Sequence, residues 1–320
     1  MRAVQITSLD GPSAVRLVEV PEPVAGPDQV LIDVHVAGVT FPEVLQSRGA
    51  YQLKPELPFV PGSEVAGVVR HDAAGFTAGQ RVAAFPGLGG FAEVAVAMPQ
   101  AVFALPDAVS FEAGASLPMN YLTVHFGLVR RGALRSGETV LVHGAAGGIG
   151  TAACQLASAL GAHVIAVVSS PEKGDVARAA GAHEVVDAAT FRDEVKALTG
   201  GRGVDVVVDP VGGDRFTDSL RSLAREGRLL VIGFTAGDIP TVKVNRLLLQ
   251  NVSVVGVGWG AFWMAGVDYL QEQWADLLPL LEAGRLDPVI GSVHPLESAA
   301  DALVELDERR AAGKVLLRVR

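Results

Sequence analysis

Thr139-Val140-Leu141-Val142-His143-Gly144-Ala145-Ala146-Gly147-Gly148-Ile149-Gly150 is the stretch that decides the fold. A short apolar, β-branched run enters a turn of small residues, and Thr151 to Leu160 follows with the composition of an Ala-rich helix. Strand, tight turn and helix are therefore expected in that order. Aligned on its last glycine, the turn reads Ala145-x-Gly147-x-x-Gly150, the dinucleotide-binding pattern with alanine in its first place. Small residues are needed there because the chain turns sharply, a pyrophosphate approaches bare N–H groups at the positive helix end, and the helix packs closely on the strand. A Gly-rich turn in another α/β protein gives the same local pattern, so the neighbouring elements decide.

Those neighbours alternate. Ala162 to Val168 is a second strand-like run, Ala177 to Gly181 closes a helix, and Glu184-Val185-Val186, Val204 to Asp209 and Arg228 to Ile232 follow as further apolar runs. Runs apolar on both faces and separated by helices imply a parallel sheet covered on both sides, and right-handed crossovers make it doubly wound. Ligands of such sheets bind at the carboxyl ends of the strands, where Gly147, Ser169, Pro210 and Gly233 fall. The expected fold class is α/β, with this Rossmann sheet as one domain.

The first third has a different texture. Ala14 to Val20, Gln29 to Val36, Gly62 to Val69, Gln80 to Phe85 and Phe91 to Val96 are short apolar or alternating runs between Pro- and Gly-rich turns, which predicts a β-rich domain. Phe41 to Arg48 is its helix candidate, with Thr40 as N-cap and Pro42 and Glu43 in the first turn. Helical stretches Phe111 to Leu117 and Tyr121 to Arg131 lead into the second domain. Late in the chain, Tyr269 to Ala283 is amphipathic and ends at Gly284, Leu296 to Leu303 is another helix, and Gly313 to Val319 is a closing strand.

The 320 residues are enough for two domains, and 49% hydrophobic with 19% charged residues is ordinary globular composition. A net charge of −9 without a basic run argues against nucleic acid or an anionic membrane as partner. Met1 to Val20 lacks the apolar core of a signal peptide, and no run approaches the length of a membrane span, so a cytoplasmic protein is expected. With one cysteine, Cys154, there is no internal disulfide and no Cys-based zinc site. The seven histidines form no His-x-x-x-His or Glu-x-x-His cluster, so no metal is expected.

The assembled residues resemble the zinc-free medium-chain dehydrogenase/reductases, in the quinone oxidoreductase (zeta-crystallin-like) branch. The resemblance runs end to end. It is most specific at Ala37 to Glu43, Tyr51 to Pro55, Phe59 to Gly67 and Glu138 to Gly150. Where zinc-dependent relatives carry a ligand cysteine and Gly-His-Glu, this chain has Ala37-Gly38 and Gly62-Ser63-Glu64, and the lobe with four cysteines is missing. The fold implied is a GroES-like catalytic domain, residues 1–118 with 285–320, and a Rossmann domain at 119–284.

The resemblance implies a nicotinamide cofactor. An NAD site carries a carboxylate at the end of the second strand for the ribose 2′-OH. Here that slot falls near Val168 and is followed by Ser169-Ser170-Pro171-Glu172-Lys173. Serine hydroxyls and the Lys173 charge suit a 2′-phosphate, so NADPH is the expected cofactor. The alternative is that Lys173 is a solvated helix-start residue and the site is indifferent to the phosphate. Similar proteins often have an aromatic or basic residue after the next strand, where this chain has Ala188-Ala189.

The same resemblance places Thr40, Phe41, Tyr51 and Thr123 at the cleft, Ala146-Gly147-Gly148-Ile149 under the pyrophosphate, and Gly233-Phe234 and Gly258-Trp259 near the nicotinamide. Tyr51 is the leading catalytic candidate, since a phenol can donate a proton or orient a quinone oxygen; alternatively it packs a loop against Pro55 and Pro58. Glu64 reads as a structural acceptor, and Asp209 as a strand-end residue or a cap of the Gly212-Gly213 turn. His125 and His143 read as satisfied core or cleft-edge residues. The apolar run Asn251 to Val257 leaves a bare strand edge. In similar proteins such a strand joins two copies, so a homodimer through Val252 to Val257 is expected. The activity implied is NADPH-dependent reduction of a small quinone without metal or flavin. The alternatives are reduction of activated C=C bonds in enals, enones or enoyl thioesters, and a non-catalytic NADPH-binding role.

Overall fold

The computed structural model describes residues 1–266 and 268–320. In chain order the first part contributes β1 (Arg2–Gln5), β2 (Arg16–Glu19), β3 (Val30–Val39), α1 (Phe41–Gln46), β4 (Glu64–Val69), β5 (Arg81–Ala84), β6 (Val94–Ala97), β7 (Val102–Ala104) and α2 (Phe111–Gly114). Then come α3 (Pro118–His125), a π-helical turn at Phe126–Arg131, β8 (Thr139–His143), α4 (Gly148–Ala159), β9 (His163–Val168), α5 (Pro171–Ala179) and β10 (Glu184–Asp187). They are followed by α6 (Phe191–Leu198), β11 (Val204–Asp209), α7 (Phe216–Arg221), β12 (Leu223–Val231), α8 (Asn245–Gln250), β13 (Ser253–Gly256) and α9 (Trp259–Trp263). The chain closes with α10 (Tyr269–Glu282), β14 (Ile290–Pro295), α11 (Ala299–Asp307) and β15 (Lys314–Arg318).

Two units result. One comprises Met1–Met119, α10 and Pro288–Arg320; the other comprises Asn120–Gly266 and Ala283–Asp287. In the first, a sheet runs β14-β15-β3-β4-β5-β7, with β6 also paired to β3. Along β3, Val30, Ile32 and Val34 are buried while Leu31 and Asp33 between them are partly exposed, the alternation of a sheet with one face on the core. Ala299, Ala302 and Leu303 of α11 join that core. The first unit also takes α10, a helix that the sequence places with the second domain. Trp274 stacks on Phe103 at 4.8 Å and Gln271 donates to the carbonyls of Gln100 and Val102, so its apolar stripe is buried in the first unit.

In the second unit six parallel strands run β10-β9-β8-β11-β12-β13. Numbered from β8 that order is 3-2-1-4-5-6, so it reverses between β8 and β11, the switch point where doubly wound sheets bind dinucleotides. Buried Leu141, Ile165, Val207 and Leu229 on the strands pack with Phe191, Val195, Phe216 and Leu220 from covering helices. The strand β12 begins at Leu223, ahead of the Arg228 expected. Its register against β11 shifts between the Val204 and Val206 pairs, and Glu226 takes a left-handed φ of 62° at that irregularity.

Candidate active site

The glycine turn is built by β8 ending at His143, Gly144 in a left-handed conformation (φ 58°), and Gly147 as N-cap of α4. The helix starts at Gly148, three residues before the Thr151 expected from propensity, because the glycines themselves form its first turn. A Cβ on Gly150 would fall on the Gly144 carbonyl oxygen and within 2.6 Å of the Ala145 Cα, so only glycine lets the helix sit this close to the turn. At Gly148 a Cβ would lie 2.6 Å from the Asn120 amide nitrogen. The first N–H groups of α4 have no partner within the helix and form the usual anion cradle.

The remaining cofactor candidates lie at the carboxyl ends of the same parallel strands. Ser169 and Ser170 follow β9, Gly233 and Phe234 follow β12, and Gly258 and Trp259 follow β13. Ala146 is buried in the turn, Gly148 and Ile149 open α4, and buried Thr123 lies on α3 one turn beyond Asn120. The Ser170 hydroxyl caps α5, accepting from the Lys173 N–H at 3.4 Å. A hydrogen bond to Ser170 is also the main reason why the exposed Glu172 carboxyl sits below its ordinary value. Hydroxyls, a helix start and the Lys173 ammonium, with no carboxylate in the ribose-reading slot, fit a phosphorylated ribose; the bare turn fits a pyrophosphate. Asn120 is a neighbour of the turn that no sequence pattern singles out.

In the first unit, Thr40 is the N-cap of α1, Phe41 its first residue packed on the core, and Tyr51 is half-buried in the following loop. Glu43, buried to 1% exposure, reaches back to this end. Its Oε2 accepts from the Thr40 N–H at 2.8 Å and from the Thr40 hydroxyl. Its Oε1 accepts from the Ser63 N–H at 3.0 Å and the Ser63 hydroxyl at 2.7 Å. Burial, and secondarily the Glu43 charge, raises the Tyr51 phenol above its ordinary value. Glu64 is an acceptor as expected: it takes the Lys314 ammonium on Oε1 and the Met119 N–H on Oε2 at 2.7 Å. Burial pushes its carboxyl up, against the pull of Lys314.

Three minor candidates resolve into structural roles. Asp209 Oδ1 accepts from the N–H groups of Val211 and Gly212, both at 2.9 Å, and so caps that turn. His143 is buried with Nε2 2.8 Å from the Ser219 hydroxyl, whereas its Nδ1 has no partner among the described residues. Burial brings its pKa down to about 4. Cys154 is buried in α4 and its thiol is pushed up to about 12. Among the described residues no group of three or more His, Cys, Asp or Glu is arranged to hold a metal ion.

Residues 26–107 match the family described as alcohol dehydrogenase GroES-like domain, and residues 148–283 the family described as zinc-binding dehydrogenase. Quinone oxidoreductase-like protein 2 of Bos taurus is 38% identical over 322 residues, covering 99% of this chain and 92% of that protein. This chain belongs to the zinc-free quinone oxidoreductase branch of the medium-chain dehydrogenase/reductases. Its fold is that family's, a GroES-like domain with a Rossmann domain, and it is an oxidoreductase. Among solved structures, the quinone oxidoreductase of Thermus thermophilus, solved also with NADPH, matches at 37% identity and a TM-score of 0.88 over 100% of both chains. A probable oxidoreductase of Mycobacterium abscessus matches at 44% identity and a TM-score of 0.92, over 100% of this chain and 99% of that one.

Proposed function

We propose that this family member is an NADPH-dependent reductase of small quinones. The cofactor half of that proposal is carried by the end of β9, where Ser169, Ser170 and Lys173 stand in place of the ribose-binding carboxylate. The acceptor half is supported by near full-length similarity to proteins named quinone oxidoreductase. When bound, NADPH supplies a hydride. Ala146 to Ile149 would hold the pyrophosphate, Ser170 and Lys173 the ribose phosphate, and Thr123, Gly233, Phe234, Gly258 and Trp259 would border the nicotinamide. Phe41 packs beside Thr40, and Tyr51 donates to the quinone oxygen. The hydride that a bound NADPH would supply carries two electrons and one proton; the second proton needed would come from the Tyr51 phenol, which would recover it from water. The product is the hydroquinone.

We further propose a homodimer through β13, which forms one edge of the six-stranded sheet. Ile239, Val244, Leu248 and Leu249, on the segment before that strand, are 72% to 78% exposed, an apolar surface that a second copy would cover. No helix among the described residues is long and apolar enough to cross a membrane, in keeping with a proposed cytoplasmic location. The direct test is loss of reduced-nicotinamide absorbance with NADPH or NADH against a panel of quinones, enals, enones and enoyl thioesters. Oxidation of NADPH by quinones is the expected result. Oxidation by enals, enones or enoyl thioesters alone would replace the assignment by C=C reduction, and NADPH binding with no turnover would leave a binding role.

A further inference from the structure

We propose that Glu43 is a positioning residue for this quinone reduction, fixing the direction of the hydroxyl protons at the Thr40 end of the site. Its role rests on the reaction proposed above. A capping box at the start of α1 needs only one carboxyl oxygen, the one that reaches the Thr40 N–H. The second oxygen crosses instead to Ser63, twenty residues along the chain, and takes both its N–H and its hydroxyl. Burying a carboxyl is costly unless its lone pairs are satisfied, and here four donors do so.

A hydroxyl has one proton. Those of Thr40 and Ser63 are both committed to Glu43, so toward a substrate each offers lone pairs alone. Among the described residues the Tyr51 hydroxyl donates to no acceptor, and a phenol carries its proton at neutral pH. Tyr51 is left as the donor and Thr40 as an acceptor. That polarity suits a substrate that arrives as a carbonyl and leaves as a hydroxyl. It would be lost if the Thr40 hydroxyl were free to rotate and compete with Tyr51 for the same oxygen.

The test compares wild type, Glu43→Gln and Glu43→Asp in NADPH-dependent reduction of menadione. A Gln side chain keeps the size but presents an NH2 in place of one accepting oxygen, so one donor pair must turn away. The expected result is a fall in kcat of about 10-fold or more, since small misplacements at a reacting centre are costly. KM for NADPH should stay within about twofold, because the cofactor contacts are elsewhere, and Glu43→Asp should recover part of kcat. If Glu43→Gln does not fold, Ser63→Ala removes one of the donors and should lower kcat about threefold by loosening the same carboxyl. A folded Glu43→Gln, or failing that Ser63→Ala, with kcat within about twofold of wild type would overturn the assignment of Glu43 while leaving the reaction intact. Wild-type protein that reduces no quinone would overturn the reaction itself, and the role of Glu43 with it.

Discussion

Lys314→Met should be among the most destabilising single changes in the first unit. The Glu64 side chain is fully buried and that of Lys314 is 4% exposed, so neither charge has water to fall back on. Nor can the site collapse around a missing partner: a Cβ on Gly38 would already lie 2.5 Å from Glu64 Oε1 and from the Ala115 carbonyl oxygen. Removing one member of a buried pair costs about 3–5 kcal/mol, because the other is left uncompensated. For a folding unit of this size, about 2–4 °C of Tm per kcal/mol translates that into a fall of about 6–20 °C. The loss should depend on pH. Burial raises the folded-state pKa of Glu64 above its unfolded value, and without Lys314 it rises further. A raised carboxyl pKa favours the folded state below the unfolded pKa and loses that contribution as pH climbs through the folded pKa. Lys314→Met should therefore be closer to wild type at about pH 5 than at about pH 8. Scanning calorimetry of wild type, Lys314→Met, Glu64→Gln and the double variant closes a cycle, and the double variant should recover more than half of the Lys314→Met loss. A Lys314→Met cost below about 1 kcal/mol, or a double variant no better than the single, would refute the account.

Gly150→Ala should lose about 1–3 kcal/mol and weaken NADPH binding in a fluorescence titration, because the new methyl meets backbone that cannot move aside. Lys173→Glu should lower kcat/KM for NADPH by about 10-fold or more while changing that for NADH little, since a charge-assisted contact is worth about 1.5–3 kcal/mol; equal effects on both would remove Lys173 from the phosphate site. Cys154, buried and with its thiol pushed up to about 12, should resist thiol reagents in the native protein and react only as the fold opens. Val254→Pro on the edge strand, where the N–H alternates with that of Val257, which bonds to the Val231 carbonyl, and so faces away from β12, should shift the species measured by light scattering from dimer to monomer; an unchanged mass would place any dimer contact elsewhere.

Why the Rossmann unit is legible in the sequence and Glu43 is not comes down to the range over which each is specified. The strand β8, the glycine turn and α4 are set by neighbours within a dozen residues, and runs such as Val204–Asp209 announce burial on both faces by themselves. Local propensity misjudges the start of α4 only because glycines are poor helix formers, and it misses the opening of β12 because Arg225 and Glu226 interrupt the apolar run at the bulge. Placing α10 is a different problem. Its amphipathic stripe says that one face is buried, but which unit buries it is decided by Phe103, far away in the chain. Half of Glu43 is visible in one dimension, since it stands in the first turn after the Thr40 cap. The other half, the oxygen taken by Ser63, exists only because β4 begins beside α1 in the folded unit. A residue that reads as a helix cap from one oxygen and as a device for aligning hydroxyls from both is what a one-dimensional pattern cannot separate. The separation is experimental: a cap lost should cost about 1 kcal/mol of stability and leave kcat alone, whereas an alignment lost should lower kcat in protein that remains folded.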